Sequence, residues 1–326
     1  MKARVYRLAF AAIAVATMVN FSASAQSLVK NYSKTYPVDA NDKLVINTSY
    51  GKVTVNTWAR NEIKVDVQMK VEGRNAQKQL DDINISDSKD ASTVVFKTNF
   101  SRSRGGWSSW FGGNNGFHNM EIDYTVYMPA KNNAEITDHY GPIILPDMEG
   151  NVTINSSYGS LTAKSLNNNN NYINVNYGQA NIDNLRTGDL NIKYGNLTIG
   201  GADKINLNLS YSGSKIGRLN SSANINARYG DGVQIKEVGQ NLRNLSVNAT
   251  YSNVRIGVNN DLNTDFNVTV KFGSFSYNTG HMSGVIQTGA GKRGWSPTQN
   301  YIGHLGKGSA DKLISVSTTY GTVKFD

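Results

Sequence analysis

Side chains that could do covalent chemistry are sparse in this sequence. It contains no cysteine and four histidines, His118, His139, His281 and His304, which lie in unrelated contexts. None has the spacing of a metal-binding motif, and we expect exposed loop histidines with no metal and no cofactor. The segment GAGKRG at 289–294 lacks the spacing and the following Ser or Thr of a phosphate-binding loop.

Carboxylates could still act in polysaccharide cleavage, where neighbouring coils of a β-solenoid bring acids together. Such a site needs acids at one repeated position. Relative to the repeat described below, the acids scatter over different positions: Asp138, Asp147, Asp183, Asp189, Asp203, Asp231 and Asp261. The sequence therefore predicts a protein that is not an enzyme, and a polysaccharide-active β-helix enzyme is the alternative.

Aromatic side chains offer a different chemistry, which is recognition. Segment 101–119 (SRSRGGWSSWFGGNNGFHN) carries Trp107, Trp110, Phe111 and Phe117 among glycines, serines and two arginines. Such a loop could stack on sugars or insert at a membrane surface or a partner. The alternative is a lid folded over apolar surface. These four residues are the candidate binding site.

The elements that would position these residues belong to an internal repeat. Ten copies of the repeat are each centred on an aromatic residue followed by Gly or Ser, and between Tyr140 and Phe272 the spacing is 17 to 22 residues. The ten copies are centred on Tyr50, Tyr140, Tyr158, Tyr177, Tyr194, Tyr211, Tyr229, Tyr251, Phe272 and Tyr320.

Each copy has a fixed apolar pattern when its aromatic residue is numbered 0. Position −4 is apolar in all ten copies, and position −2 is apolar in the later ones. Because strand side chains alternate, we expect the aromatic residue to share the inner face and form an internal stack. Apolar residues then resume at +3 and +5, so the chain turns at the aromatic-Gly step, where glycine can take a positive φ. The best-defined seam residues are Tyr158, Gly159, Tyr177, Gly178, Tyr194, Gly195, Tyr229 and Gly230.

Two short strands per copy cannot form a core alone, but stacked copies can, with equivalent strands ~4.8 Å apart. Asn recurs at position −3, which predicts ladders of side-chain amides along the stack. The predicted fold is all-β, a parallel β-solenoid (β-helix) of Tyr-Gly-centred rungs. An antiparallel sandwich or barrel is the alternative.

Two segments depart from the repeat. Residues 61–131 read as a β-rich flanking module with one short helix at 75–83, which would cover an open end of the solenoid. Residues 278–312 read as a long hairpin or C-terminal cover. The predicted domains are a signal peptide (1–25), the first rung with its N-terminal flanking module (26–131), and the solenoid repeats with an insertion at 278–312 (132–326).

The predicted signal peptide has a basic start, a short apolar run and Ala23-Ser24-Ala25 before the cleavage point. A buried N-terminal helix is the alternative. We expect export to the periplasm, the cell surface or the medium, no lipid anchor because cysteine is absent, and no later transmembrane segment. Removing Lys2, Arg4 and Arg7 lowers the formal charge from +9 to +6 (9 − 3). The remaining cations are scattered, so nucleic acid is not an expected partner, whereas weak attraction to anionic glycans or a membrane surface stays open.

The sequence also resembles a known family. GKVTVNTW at 51–58 is followed by IKVDV at 63–67 and YTVYMP at 124–129, and then by serial glycine-centred copies. This order, over roughly residues 40–326, resembles the bacterial "putative adhesin" domain family, secreted β-solenoid proteins whose biochemical role is unassigned. The resemblance implies a non-enzymatic, extracytoplasmic envelope or surface protein. It does not identify a partner, and the candidates are a glycan and an envelope or surface protein. A periplasmic accessory protein with a protein partner is the alternative.

Overall fold

The chain is nearly all-β. The computed structural model describes residues 27–73, 75–101, 120–278, 280, 282–289 and 297–326. Within these ranges, twenty-four strands join one long, mostly parallel sheet, and α1 (Ala76–Asp82) is the one helix. The all-β prediction and the short helix are confirmed, and the parallel sheet is consistent with the predicted solenoid. The predicted signal peptide lies outside the described residues.

The N-terminal strands build the first copy of the repeat and the layers beside it. They are β1 (Ser27–Pro37), β2 (Lys43–Ser49), β3 (Val53–Thr57), β4 (Glu62–Glu72), β5 (Ile83–Asp90), β6 (Thr93–Phe100) and β7 (Met120–Met128). The first copy is β2 and β3, which pair in parallel with β6 and β7 on one side. Antiparallel pairing then adds β5 to β6, β4 to β7, and β1 to β4.

The central copies stack in parallel on the other side of β2 and β3. Their strands are β8 (Asn133–His139), β9 (Pro142–Leu145), β10 (Val152–Ser157), β11 (Ser160–Leu166), β12 (Asn171–Asn176), β13 (Gln179–Lys193), β14 (Asn196–Ser210), β15 (Gly213–Arg228), β16 (Gly232–Val238), β17 (Asn244–Thr250) and β18 (Val254–Ile256). Equivalent residues lie opposite one another, so that Ile154 faces Ile136 on one side and Ile173 on the other.

At the C-terminal end the order in space differs from the order in sequence. The strands there are β19 (Thr264–Lys271), β20 (Ser274–Tyr277), β21 (Met282–Thr288), β22 (Thr298–Leu305), β23 (Leu313–Thr319) and β24 (Thr322–Phe325). The last copy, β23 and β24, lies between β17–β18 and β19–β20 and pairs in parallel with both. The hairpin of β21 and β22 pairs antiparallel with β19 and covers that end.

The inner columns of the repeat form the core, as the pattern predicts. Each of the ten residues at position −4 is at most 1% exposed, and Val175 and Ile192 at position −2 are fully buried. Buried residues of the flanking strands and of the repeats join one hydrophobic cluster. The domain division at 131/132 stays a prediction. Among the described residues, no helix has the length and apolarity to cross a membrane.

The predicted amide ladder is also confirmed. Asn208 donates from its side chain to Asn191 at 3.0 Å, Asn226 donates to Asn208 at 3.2 Å, and Asn248 donates to Asn226 at 3.4 Å. A further pair joins Asn174 to Asn155 at 3.4 Å. These bonds tie consecutive copies together on the outer surface.

The prediction that the aromatic residues point inward is wrong. Nine of the ten are 43% to 54% exposed. Their backbones have φ between 50° and 70°, the left-handed region, so the chain changes face at the aromatic residue itself. The side chain therefore points to solvent, where continued alternation would have placed it inside. The predicted positive φ at the following glycine is wrong for the same reason, since the aromatic residue already makes the turn.

Glycine follows the aromatic residue in eight of the ten copies, and Ser212 and Ser252 follow it in the other two. In the copies with glycine, the backbones of neighbouring copies nearly touch at this position. A Cβ on Gly178 would lie 1.8 Å from the carbonyl oxygen of Gly159, and one on Gly195 would lie 1.8 Å from that of Gly178. No side chain fits at such distances. The glycines thus permit close stacking, and the aromatic residues carry the unusual backbone angle.

Candidate functional site: an aromatic ladder and an adjoining groove

The described residues do not assemble a reactive cluster. Across the ranges that the structure covers, no three His, Asp or Glu side chains come together in a way that could hold a metal ion. His139 and His304 are exposed, as expected, but they lie in the strands β8 and β22 and not in loops. The Nδ1 atom of His304 lies 2.7 Å from Asp265, and this hydrogen bond lowers the pKa of the carboxyl. His118 and His281 lie outside the described residues.

The most extended surface feature is a continuous stack of ten aromatic rings, which we call the aromatic ladder. Neighbouring ring centroids are 4.7 to 5.4 Å apart, and the ring planes are within 3° to 16° of parallel. In spatial order the ladder consists of Tyr50, Tyr140, Tyr158, Tyr177, Tyr194, Tyr211, Tyr229, Tyr251, Tyr320 and Phe272. An internal stack was predicted, but this stack lies on the surface.

The packing of the rings determines which chemistry the ladder can offer. Ring faces cover each other at about 5 Å, so a sugar ring or another flat group has no room between them. The edges and phenol hydroxyl groups remain in contact with water. The ladder therefore presents a row of aromatic edges, one per copy, with a hydroxyl group on each ring except Phe272, which suits a long ligand better than a small one.

One flank of the ladder carries isolated positive charges. The residue before the ring is Lys193, Arg228 or Lys271 in three copies, and all three are exposed. The ammonium group of Lys271 lies 5.8 Å from the centre of the Phe272 ring. In the described part of the chain, none of these three cations forms an ion pair with a carboxylate. This flank can therefore attract anionic groups without first breaking an internal contact.

The other flank contains a shallow depression of about 470 Å³, which we call the distal groove. It crosses five copies, from the Tyr177 copy to the Tyr251 copy, on the outer face of the strands that follow the ladder. Its lining consists of Gln179, Asn181, Asn196, Leu197, Thr198, Gly213, Ser214, Lys215, Asp231, Gly232, Val233, Gln234, Asn253 and Arg255. Amides and hydroxyls dominate, with one carboxylate and two cations.

A second depression of about 580 Å³ lies at the start of the ladder. It is lined by Tyr50, Gly51, Lys52, Lys70, Glu72, Met120, Glu121, Tyr140 and Pro142. Lys70 is 2.6 Å from Glu72 and opposite Glu121 in the strand pairing. The two acids therefore share a lysine between them.

The structure describes only some of the sites that were predicted from the sequence. Trp107, Trp110, Phe111 and Phe117 lie outside the described residues, so that candidate site stays a prediction. The seam tyrosines are brought together in the ladder, on the surface. The distal groove was missed in the sequence. Two irregularities could have indicated it, namely Gly213 where three nearby copies carry Asn or Gln, and one extra residue, Asp231, in the Tyr229 copy.

Residues 41–325 match the family model described as Toastrack DUF4097. The chain belongs to this family. The resemblance to the adhesin-like domain family is thereby confirmed. Comparison with curated proteins gives no match.

Several solved structures are similar over 91% of this Toastrack chain. A "putative adhesin" from Bacteroides fragilis is 14% identical, with 97% of that chain covered and a TM-score of 0.38. A "putative adhesin" from Parabacteroides merdae is 8% identical, with 96% covered and a TM-score of 0.39. A "Putative lipid binding protein" from Parabacteroides distasonis is 8% identical, with 96% covered and a TM-score of 0.37.

Proposed function

We propose that this chain is an exported, non-catalytic, adhesin-like β-solenoid protein of the bacterial envelope, and that it holds an extended polymer along its aromatic ladder. The observation that carries the proposal is the ladder itself, ten stacked aromatic rings of which nine are 43% to 54% exposed. Export rests on the predicted signal peptide, and an envelope glycan is the polymer that we favour.

Backbone strain supports a role for the rings beyond stability. Holding a bulky residue in the left-handed region costs about 1–3 kcal/mol, whereas Gly, Asn and Asp adopt it more readily. Stacking returns about 0.5–1.5 kcal/mol for each pair of rings. The two effects are of similar size, so stability alone gives little reason to prefer tyrosine over asparagine at these positions. Binding of a ligand to a repeated aromatic surface would explain the preference.

The geometry of the ladder favours a linear ligand. Its row of edges and hydroxyl groups repeats at about 5 Å, and the polar amide ladder runs beside it on the same outer face. A polymer that lies along the stack would meet one aromatic edge per copy. Many weak, equivalent contacts along one line give avidity without a deep pocket.

The surface supports binding better than catalysis. Glycoside hydrolysis needs two carboxyl groups across the scissile bond. The lining of the distal groove includes one carboxylate, Asp231. The second depression includes Glu72 and Glu121, but Lys70 pairs with Glu72 and lies opposite Glu121.

The test uses a variant that removes three rings and keeps the backbone relaxed. In the mature chain, Tyr177, Tyr194 and Tyr211 are replaced by Asn, which tolerates the left-handed region. Tyr172→Asn is the matched control, because Tyr172 is 40% exposed and lies outside the ladder. Cosedimentation with insoluble polysaccharides and purified peptidoglycan measures binding, and urea unfolding measures stability.

We expect the triple variant to fold and to bind at least tenfold more weakly than wild type, a loss of about 1.4 kcal/mol in binding free energy. The control should bind like wild type. Equal binding by the triple variant would reject the ladder as the contact surface. Absence of wild-type binding to all of these polymers would reject polymer binding altogether. Release of reducing sugars by the wild type would favour the enzyme alternative. Protease treatment of intact cells separates the two locations, because protease reaches a surface adhesin but not a periplasmic accessory protein.

A further inference from the structure

We infer that the distal groove is a binding site for a segment of a neutral, linear polysaccharide, and that Asp231 is its specificity-determining residue. This inference rests on the proposed binding function. It concerns a different surface, the flank of the stack, and assigns it a ligand class.

The groove exists because two adjacent copies lack a side chain. At the second residue after the aromatic position, the neighbouring copies carry Gln179, Asn196 and Asn253, all exposed. Two copies lie between those of Asn196 and Asn253. They have Gly213 and Gly232, which lie opposite each other in the strand pairing. The amides thus stand at both ends of a floor that consists of backbone.

An inserted residue places a charge in this floor. In the Tyr229 copy three steps lead from the aromatic residue to Gly232, whereas two steps lead from Tyr211 to Gly213. The extra residue is Asp231, and Gly232 accommodates it with φ of 103°. Insertions of this kind re-aim side chains and concentrate near binding sites. The Cβ of Asp231 lies 3.1 Å from the place where a Gly213 side chain would begin, so its carboxylate borders the vacant space.

A buried hydroxyl group in the same place lacks a partner. Ser214 lines the groove, is 4% exposed, and its hydroxyl makes no hydrogen bond to any described residue. Its neighbours in the column are Leu197 and Val233. An apolar residue would be expected at this position, because an unsatisfied buried hydroxyl is costly. Because this column faces the core, the hydroxyl lies beneath the backbone of the groove floor, and a ligand in the groove would not contact it directly.

The chemistry of the lining fits sugar hydroxyl groups. Planar amide and carboxylate groups can bond two adjacent hydroxyls at once, and here they recur at the strand spacing of ~4.8 Å. This spacing is close to the length of one sugar in an extended polysaccharide. Arg255 is paired with Asp326, and Lys215 and Asp231 supply one charge of each sign to the lining. The groove therefore lacks the excess of cations that an acidic polymer would need.

The test titrates the mature protein with soluble linear gluco-oligosaccharides of increasing length and with uronate oligosaccharides as charged counterparts. Calorimetry and amide chemical shifts report binding. Asp231→Asn removes the charge at constant shape, and Gly213→Asn fills the floor with the side chain that two neighbouring copies already carry. Asp183→Asn is the matched control, an exposed acid outside the groove lining.

We expect the affinity for the neutral oligosaccharides to rise with length and to level off near 20 Å, the span of five strands. Asp231→Asn should weaken binding about tenfold or more, since a hydrogen bond to a charged group is lost. Gly213→Asn should abolish binding, and Asp183→Asn should have no effect. Equal affinity of Asp231→Asn, or a preference for uronates, would overturn the inference. If the wild type sediments with insoluble polymers but binds no oligosaccharide, this inference alone fails; if it does neither, the proposed function fails as well.

Discussion

A buried carboxyl group should make the stability of this protein fall between acidic and neutral pH. Asp138 occupies position −2 of the Tyr140 copy, is fully buried, and neither carboxyl oxygen has a hydrogen-bond partner of normal geometry among the described residues. Thr48 and Ser156 lie opposite it in the strand pairing. Burial raises the pKa of Asp138 from 3.8 to about 7.

This shift fixes the sign and the size of the effect. Below about pH 4 the carboxyl is protonated in both the folded and the unfolded chain, so its ionisation does not change folding stability. Between about pH 4 and 7 the unfolded chain ionises while the folded chain keeps its proton, so folding stability falls by about 1.4 kcal/mol per pH unit. Above about pH 7 the loss levels off at roughly 4 kcal/mol, an upper bound because the structure around the group can relax.

The perturbation is Asp138→Val, because Val175 fills the same column in a later copy. Urea unfolding, followed by circular dichroism from about pH 4 to pH 8, gives the free energy of unfolding of both proteins. The difference between them should be smallest at the acidic end and should grow in favour of the variant up to about pH 7. Tyr124 does not contribute, since burial raises its pKa to about 12. Parallel curves for the two proteins would refute the reasoning.

Three further outcomes follow from the ladder and the flanking strands. Tyr211→Val should destabilise the protein at least about 1 kcal/mol more than Tyr211→Asn, because a β-branched residue tolerates the left-handed region poorly; urea midpoints measure this. Gly178→Ala should cost about 3 kcal/mol or more through backbone overlap, whereas Gly201→Ala, whose Cβ would meet a side-chain oxygen at 3.2 Å, should change the melting temperature little. Replacing both Tyr32 and Tyr36 by Phe removes two donors from one carboxylate and should raise hydrogen exchange in β1, with a loss of about 1–3 kcal/mol.

The repeat was predictable because its signal is physical and periodic. A column such as Ile136, Ile154 and Ile173 has to face inward in every copy, and the parallel pairing of identical positions follows from the even spacing. The Asn column could be predicted on the same grounds, because identical amides on adjacent strands bond to one another.

The direction of the tyrosines could not be predicted from parity alone. A change of face between positions −2 and +3 can occur at the aromatic residue or after it, and both give the same apolar pattern. Glycine is common in the left-handed region and tyrosine is rare there. We therefore expected the positive φ at Gly178 and not at Tyr177. The structure reverses these roles, because a Cβ on Gly178 would lie 1.8 Å from the carbonyl oxygen of Gly159. The burial of Asp138 was missed because the first three copies carry polar residues at position −2, namely Thr48, Asp138 and Ser156, although this position is as buried in these copies as in the later ones.

The spatial order of the final copies could not be predicted from the repeat, and it determines how the ladder is completed. In space, Tyr320 stands between Tyr251 and Phe272, although Phe272 precedes it by forty-eight residues in the chain. The last copy therefore lies between two earlier copies of the stack, and its strand β23 pairs with both β17 and β19. Neither neighbour pairs with the other, so the C-terminal copy is the connection through which β19 and the covering hairpin join the other copies. A ladder that is continuous over its whole length thus requires the very end of the chain to be in place, which couples completion of the aromatic surface to completion of the fold.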